Sequence, residues 1–248
     1  MKLNKLIADR PNKKIYRDGN YTIKVMSEEY LAADVLNEAL NHSIVHAAGF
    51  PVPAFHEVCK INGKWAIVMD YIEGRTLVSM IDNDHANMSQ YINRLVDIQM
   101  NLHSYKVERL RRLTDKFHDK ISKSGLDATA RYELHTRLQG LPKHNKLCHG
   151  DFTPGNVIIT PDDQAVVIDW SHATQGNASA DAARTYLRLT LAGLPDQAET
   201  YMRLFCKKSD TAQQYVEKWL AIVAASQMVK GKPEERELLL RWANVMEK

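Results

Sequence analysis

Leu147-Cys-His-Gly-Asp-Phe-Thr-Pro-Gly-Asn-Val-Ile-Ile-Thr-Pro-Asp-Asp-Gln-Ala-Val-Val-Ile-Asp-Trp170 decides how the rest of this chain is read. Two short apolar runs, Val157–Thr160 and Ala165–Ile168, flank Pro161-Asp162-Asp163-Gln164, whose Pro and Asp content is that of a turn. The runs are therefore expected to pair as an antiparallel hairpin. Pairing brings the outer ends together, so Asn156, just before the first strand, and Asp169, just after the second, stand side by side with Asp151 over both. Two hard oxygen ligands with a third carboxylate nearby suit Mg²⁺, which keeps most of its water and takes few protein ligands. Taken singly, each of these residues reads equally well as a cap or a loop-closing polar group. Their joint spacing on one hairpin is what points to chemistry.

The order His149-Gly150-Asp151, then Asn156, then Asp169 matches the H-x-D-x-x-x-x-N spacing and later metal-binding Asp of kinases. Through His149-Gly-Asp-Phe-Thr-Pro-Gly-Asn156 the chain resembles the aminoglycoside phosphotransferase and choline kinase group of kinase-like enzymes, and the resemblance spans nearly the whole sequence. It implies that Asp151 orients or accepts the proton of a substrate hydroxyl and that Asn156 and Asp169 hold Mg²⁺. It also implies ATP or GTP as phosphoryl donor. His149 is expected to be structural, its imidazole fixing the loop backbone. Asp181 resembles the family's aspartate that braces the catalytic loop, although a charge at a helix N-terminus explains it nearly as well.

A chain of 248 residues forms one large domain or two modest ones, and 44% hydrophobic with 25% charged residues is ordinary for a soluble globular protein. Cys59, Cys148 and Cys206 are odd in number and far apart, without a C-x-x-C, so neither a disulfide framework nor a zinc site is suggested. A reducing cytoplasm is the expected location. The apolar N-terminal stretch is too short and interrupted for a signal peptide, and no run suits a membrane span. A net charge of +3 with scattered Lys and Arg does not favour nucleic acid as a partner. The oligomeric state is not legible.

Leu3–Ala8, Lys14–Arg17 and Tyr21–Met26 read as strands, the last two joined across Asp18-Gly19-Asn20. Between the first two, Asp9–Lys14 occupies the place of a glycine-rich phosphate cover but holds no G-x-G-x-x-G, leaving Asn12, Lys13 or Lys14 as helpers. Alternation puts Lys24 on the face opposite Tyr21, Ile23 and Val25. Ser27 is expected to cap a helix running from Glu28 to about Ala48 with Leu31, Val35 and Ile44 in its core stripe. Glu38 falls on that apolar face. The simplest account is a Lys24–Glu38 ion pair that sets the lysine on nucleotide phosphates. The competing account is a snorkelling lysine and a rim glutamate. Ala54–Lys60 and Lys64–Tyr71 complete a five-stranded antiparallel sheet. After it, Asp70, Tyr71 and Ile72 sit where a kinase hinge meets adenine through backbone atoms.

From Leu77 the pattern turns helical, clearest over Ser89–Ser104, with Ile92, Leu95, Val96, Gln99, Leu102 and His103 on one stripe. His103 is read as a structural helix-terminal histidine. Further helices are expected over Asp127–Leu138, from about Ala180, and over Pro195–Cys206, Thr211–Met228 and Pro233–Glu247. Only twelve positions separate Asp169 from Asp181, too few for a peptide-gripping activation segment.

The expected architecture is α+β and bilobal, protein-kinase-like. A nucleotide-binding lobe covers residues 1–72 and a helical catalytic and substrate-binding lobe covers 73–248, with the nucleotide between them. The expected activity is ATP- or GTP-dependent transfer of the γ-phosphate to a hydroxyl of a small molecule. A nucleotide-binding pseudokinase is a second reading, and a metal-dependent hydrolase built on His149, Asp151 and His172 is a third. The mildly basic chain favours a sugar, amino alcohol or other metabolite over a polycationic aminoglycoside, unless Asp196, Glu199, Glu217, Glu234, Glu235 and Glu237 converge.

Overall fold

The computed structural model describes residues 2–244. In chain order its elements are β1 (Lys5–Arg10), β2 (Lys13–Asp18), β3 (Tyr21–Met26), α1 (Ala32–Ala47), β4 (Phe55–Ile61), β5 (Lys64–Asp70), β6 (Arg75–Thr76), α2 (Leu77–Asn83), α3 (Met88–Ser104), α4 (Leu113–Ser122) and α5 (Ala128–Gly140). There follow β7 (Lys146–Cys148), β8 (Val157–Ile159), β9 (Ala165–Val167), β10 (Thr174–Gly176), α6 (Ala178–Leu191), α7 (Pro195–Ser209), α8 (Gln213–Glu217), α9 (Leu220–Met228) and α10 (Arg236–Ala243). The end of the last helix expected at Glu247 lies outside the described residues. None of the described helices is long and apolar enough to cross a membrane.

The chain divides into two compact units, Met1–Asn83 with Pro154–His172, and Asp84–Thr153 with Ala173–Lys248. The β8–β9 hairpin thus belongs to the unit of the N-terminal sheet. That sheet has the order β1-β2-β3-β5-β4, antiparallel throughout. Strand alternation divides its apolar side chains between two faces. Ile23, Val25, Ala66 and Val68 pack on one face, with Leu3, Tyr16, Cys59 and Ile61 against them. Met26 and Ile67 on the other face meet Val35 of α1. Lys24 shares this second face, and it is almost fully buried.

Two local expectations give way. The segment Asp9–Lys14 is a two-residue turn rather than a loop, because β1 and β2 pair out to Arg10↔Lys13. Ser27 does not cap a helix. Its amide donates to Asn12 O at 3.0 Å and its carbonyl accepts from Tyr30 N at 3.2 Å, so its backbone is committed to the sheet edge and a turn. Helix α1 begins only at Ala32. This later start leaves Leu31 68% exposed, while the buried stripe runs Val35, Glu38, Ala39, His42 and Val45.

In the second unit α3 buries the six residues expected of it. Helix α9 buries Ala221 to Ala225 on all sides and packs against α4, α5, α6 and α10. The single helix expected over Thr211–Met228 is broken at Trp219, whose amide reaches back three residues to Val216 O at 3.0 Å. Such a tightened turn is a usual way for an α-helix to end.

The short strand β6 pairs with β8, which extends the hairpin to three strands. This pairing demands glycine at position 74. Its φ is +153°, and a Cβ there would lie 2.3 Å from Ile159 O. Gly74→Ala is therefore expected to destabilise the protein by about 1–3 kcal/mol through overlap and backbone strain. Urea unfolding would read this as a lower midpoint at unchanged slope, and an unchanged midpoint would refute it.

Candidate active site

In the first unit the hairpin turns through Thr160–Gln164, where Thr160 N donates to Gln164 O at 2.9 Å and Asp163 takes a left-handed φ of +65°. At its open end Ile168 N donates to Asn156 O at 2.9 Å, which places Asn156 across from the residue preceding Asp169. Asp169 also has a left-handed φ, +69°. Its Oδ1 accepts from Lys24 Nζ at 2.8 Å and its Oδ2 from Lys13 Nζ at 2.6 Å. Lys24 is ion-paired with Glu38 as well. Four charged side chains from β2, β3, α1 and the hairpin end thus form one cluster.

Burial works against every charge in this cluster, and the opposite charges decide the outcome. Burial alone lowers the Lys24 pKa, but Glu38 and Asp169 raise it above the ordinary lysine value. Burial alone raises Asp169, but Lys24 and Lys13 hold it well below the usual carboxylate range. Lys13 is lowered by burial and by the Lys24 charge, with Asp169 opposing. Asp169 is accordingly an ionised oxygen donor, and Asn156 stands across the hairpin from Ile168, the residue before Asp169. Of the three candidate phosphate helpers in the β1–β2 turn, Lys13 joins the cluster while Lys14 pairs with Asp9 at 3.4 Å. Further along, the amides of Asp70 and Tyr71 already donate, to Ala54 O at 2.9 Å and Asn20 O at 2.7 Å.

In the second unit the His149-Gly150-Asp151 segment is fastened from inside. Asp181 on α6 accepts from Gly150 N at 2.7 Å through Oδ1 and from His149 N at 3.2 Å through Oδ2. His103 Nε2 and Gln99 Nε2 from α3 approach Oδ2 at 3.0 and 3.2 Å. Asp151 N donates to His149 Nδ1 at 3.2 Å, which leaves the imidazole proton on Nε2. Gly150 has φ +78°, so the loop turns sharply between His149 and Asp151. Burial pushes Asp181 up, but the His103 hydrogen bond and charge and the Gly150 amide bring it down to about 2.

Two arginines that sequence reasoning passed over reach the same segment. Arg184 Nε donates to Gly150 O at 3.2 Å, and Arg188 Nε forms an ion pair with Asp151 Oδ1 at 3.0 Å. Asp181, Arg184 and Arg188 lie three and four positions apart and so share one face of α6. That spacing was visible in the sequence. What it faced was not.

A five-stranded antiparallel sheet carrying a helix with a buried Lys–Glu pair, followed by a helical unit with a braced His-Gly-Asp loop, defines the protein-kinase-like α+β fold. Solved structures of that class are similar to it. A choline/ethanolamine kinase family protein from Mesorhizobium loti has a TM-score of 0.66 at 16% identity, covering 100% of this chain and 89% of that one. A thermostable mutant of the aminoglycoside phosphotransferase APH(4)-Ia, in complex with ADP and hygromycin B, has a TM-score of 0.68 at 15% identity, covering 96% and 89%. The choline kinase from Streptococcus pneumoniae has a TM-score of 0.62 at 15% identity, covering 98% and 93%. The model of the phosphotransferase enzyme family matches residues 8–216, and the chain belongs to that family. No curated protein matches the sequence.

The Asp181 network sets an acid limit on stability. Its folded pKa lies below its ordinary 3.8, so the stabilisation is complete above pH 4 and is lost as pH falls through about 2. Between those values the wild type should lose about 2 kcal/mol more unfolding free energy than Asp181→Asn. Denaturant unfolding from pH 5 to 2 measures the difference, and parallel curves for the two proteins would refute it.

Proposed function

We propose that the protein is a small-molecule kinase, moving the γ-phosphate of ATP or GTP to a hydroxyl group. The observation that supports this most is Lys24, buried between Glu38 and Asp169, because a lysine so placed is an ammonium held in a fixed position, as a grip on nucleotide phosphates requires. Membership of the phosphotransferase family agrees with it, as does a structure of the same fold holding ADP and hygromycin B.

In this reading Lys24 and Lys13 grip the phosphates, and Glu38 keeps Lys24 from swinging away. Asn156 and Asp169 would hold Mg²⁺, which when bound neutralises charge on the phosphate oxygens. Of the three hinge residues, Asp70 and Tyr71 have spent their amides on the sheet and its turn, so Ile72 is left to offer an N–H to the base. Asp151 receives the hydroxyl proton as the acceptor oxygen bonds to the γ-phosphorus. The bond from that phosphorus to the β,γ-bridging oxygen breaks, and the nucleoside diphosphate leaves with the electron pair. His149 and Asp181 hold the loop so that the Asp151 carboxylate starts from one position.

A hydrolase would need several metal ligands around Asp151. Among the described residues the one set of three converging ligands is His103, Cys148 and Asp181, all buried and without Asp151.

Two variants separate the assigned roles. Asp151→Asn should lower kcat by about 10²-fold or more while MgATP affinity stays within twofold, since the general base acts on the acceptor. Asp169→Ala should weaken nucleotide binding in Mg²⁺ by about tenfold or more and remove the gain in affinity that Mg²⁺ gives the wild type. Calorimetry with and without Mg²⁺ reads both, and equal losses of nucleotide affinity in the two variants would reject the division of roles.

A further inference from the structure

Helix α6 presents two guanidinium groups one turn apart at the segment that carries Asp151. Arg184 uses Nε on Gly150 O at 3.2 Å, and Arg188 uses Nε toward Asp151 Oδ1 at 3.0 Å. The terminal nitrogens of both make no hydrogen bond or ion pair with any described residue. Each is half-buried rather than splayed into solvent. Only the Arg184 contact is a hydrogen bond, since the buried Arg188 Nε makes none and meets Asp151 as an ion pair; forked ends left unoccupied in this way are ready to take a carboxylate or phosphate in bidentate fashion.

Helix α4 adds cations to the same neighbourhood. Lys116 and Lys120, also one turn apart, both act electrostatically on Arg184, and Lys230 acts on Lys120. Burial first, and then the charges of Arg184 and Lys120, bring Lys116 down to about 7. The carboxylates that bear on Arg184 are Asp151, Asp181 and Glu235. Asp181 is spent on the loop amides and α3, and Glu235 Oε2 accepts from Gln227 Nε2 and Lys232 N at 2.9 and 3.3 Å. Asp151 is left facing Arg188.

Two of the acidic residues that would suit a cationic acceptor, Glu199 and Glu217, lie elsewhere. Glu199 bonds the Tyr186 hydroxyl and Glu217 acts on the same phenol. Tyr186 is two positions from each arginine, about 200° around the helix, and so lies on the opposite face of α6.

Resting on the kinase reading above, we propose that the acceptor is an anionic hydroxyl compound, such as a hydroxy acid or a sugar phosphate, whose carboxylate or phosphate is taken by Arg184 and Arg188 beside Asp151. A polycationic aminoglycoside or a choline-like quaternary ammonium meets like charge at this face.

The test uses acceptors matched in all but charge, with ADP release as the readout: glycerol, D-glycerate and glycerol 3-phosphate, with ribose and ribose 5-phosphate, and with choline and kanamycin as cationic members. An anionic member of a matched set should exceed its neutral parent by about tenfold or more in kcat/KM. Arg184→Ala and Arg188→Ala should raise KM for it by about 10–100-fold with a smaller change in kcat, and the Lys replacements should restore part of the loss. Preference for neutral or cationic acceptors, or an anion preference unmoved by both Ala variants, overturns the inference and leaves the kinase reading intact. If no acceptor releases ADP, calorimetry decides separately. Failure to bind Mg-nucleotide removes the kinase reading. Titration of D-glycerate and glycerol 3-phosphate into protein saturated with Mg-AMP-PNP tests the anion site, and no binding at millimolar anion, or binding no tighter than to the double Ala variant, overturns it.

Discussion

A buried lysine cannot remain charged in a protein interior without compensation, and Lys24 is compensated by two carboxylates from different parts of the first unit, Glu38 of α1 and Asp169 at the end of the hairpin. This requirement ties three elements together. The sheet supplies the lysine, the helix must lie on that face of the sheet to supply Glu38, and the hairpin must close against both to supply Asp169. Replacing the group by apolar residues of the same volume would be no loss to stability on general grounds. The cluster does fix an ammonium and a carboxylate in one place, as the proposed phosphate and metal site requires.

Asp181 solves a parallel problem in the second unit. A loop that turns at Gly150 leaves two backbone amides without partners in secondary structure, and buried amides demand acceptors. One carboxylate serves both and is itself held by His103 and Gln99 from α3. The loop is thereby anchored to two helices, and the residue that follows, Asp151, is presented from a fixed backbone. The buried His149 ring accepts from Asp151 N through Nδ1.

The charge around the Asp151 segment follows from helix faces rather than from net charge. Overall the chain is only mildly basic. On α6, however, the residues at 184 and 188 give two cations to the face that carries Asp181, while Tyr186 and its carboxylate neighbours occupy the other. An average over the sequence conceals such a division, because the period of 3.6 residues sorts charges that are adjacent in the chain onto opposite sides.

By itself the sequence determined the five-stranded antiparallel sheet, the α3 stripe, the hairpin, and the spacing that identifies His149, Asp151, Asn156 and Asp169 as one motif. These are local or strictly periodic signals, written in alternation, turn residues and fixed offsets. The Lys24–Glu38 pair was legible for the same reason, since each residue breaks an apolar pattern on its own element. Only the tertiary structure decided that Asp169 receives Lys13 as well as Lys24, that Ser27 serves the sheet instead of capping α1, that Asp70 and Tyr71 have committed their amides, and that Arg184 and Arg188 meet the Asp151 segment. Each of these depends on which group arrives from far along the chain, and a buried polar atom accepts whatever partner the packing delivers.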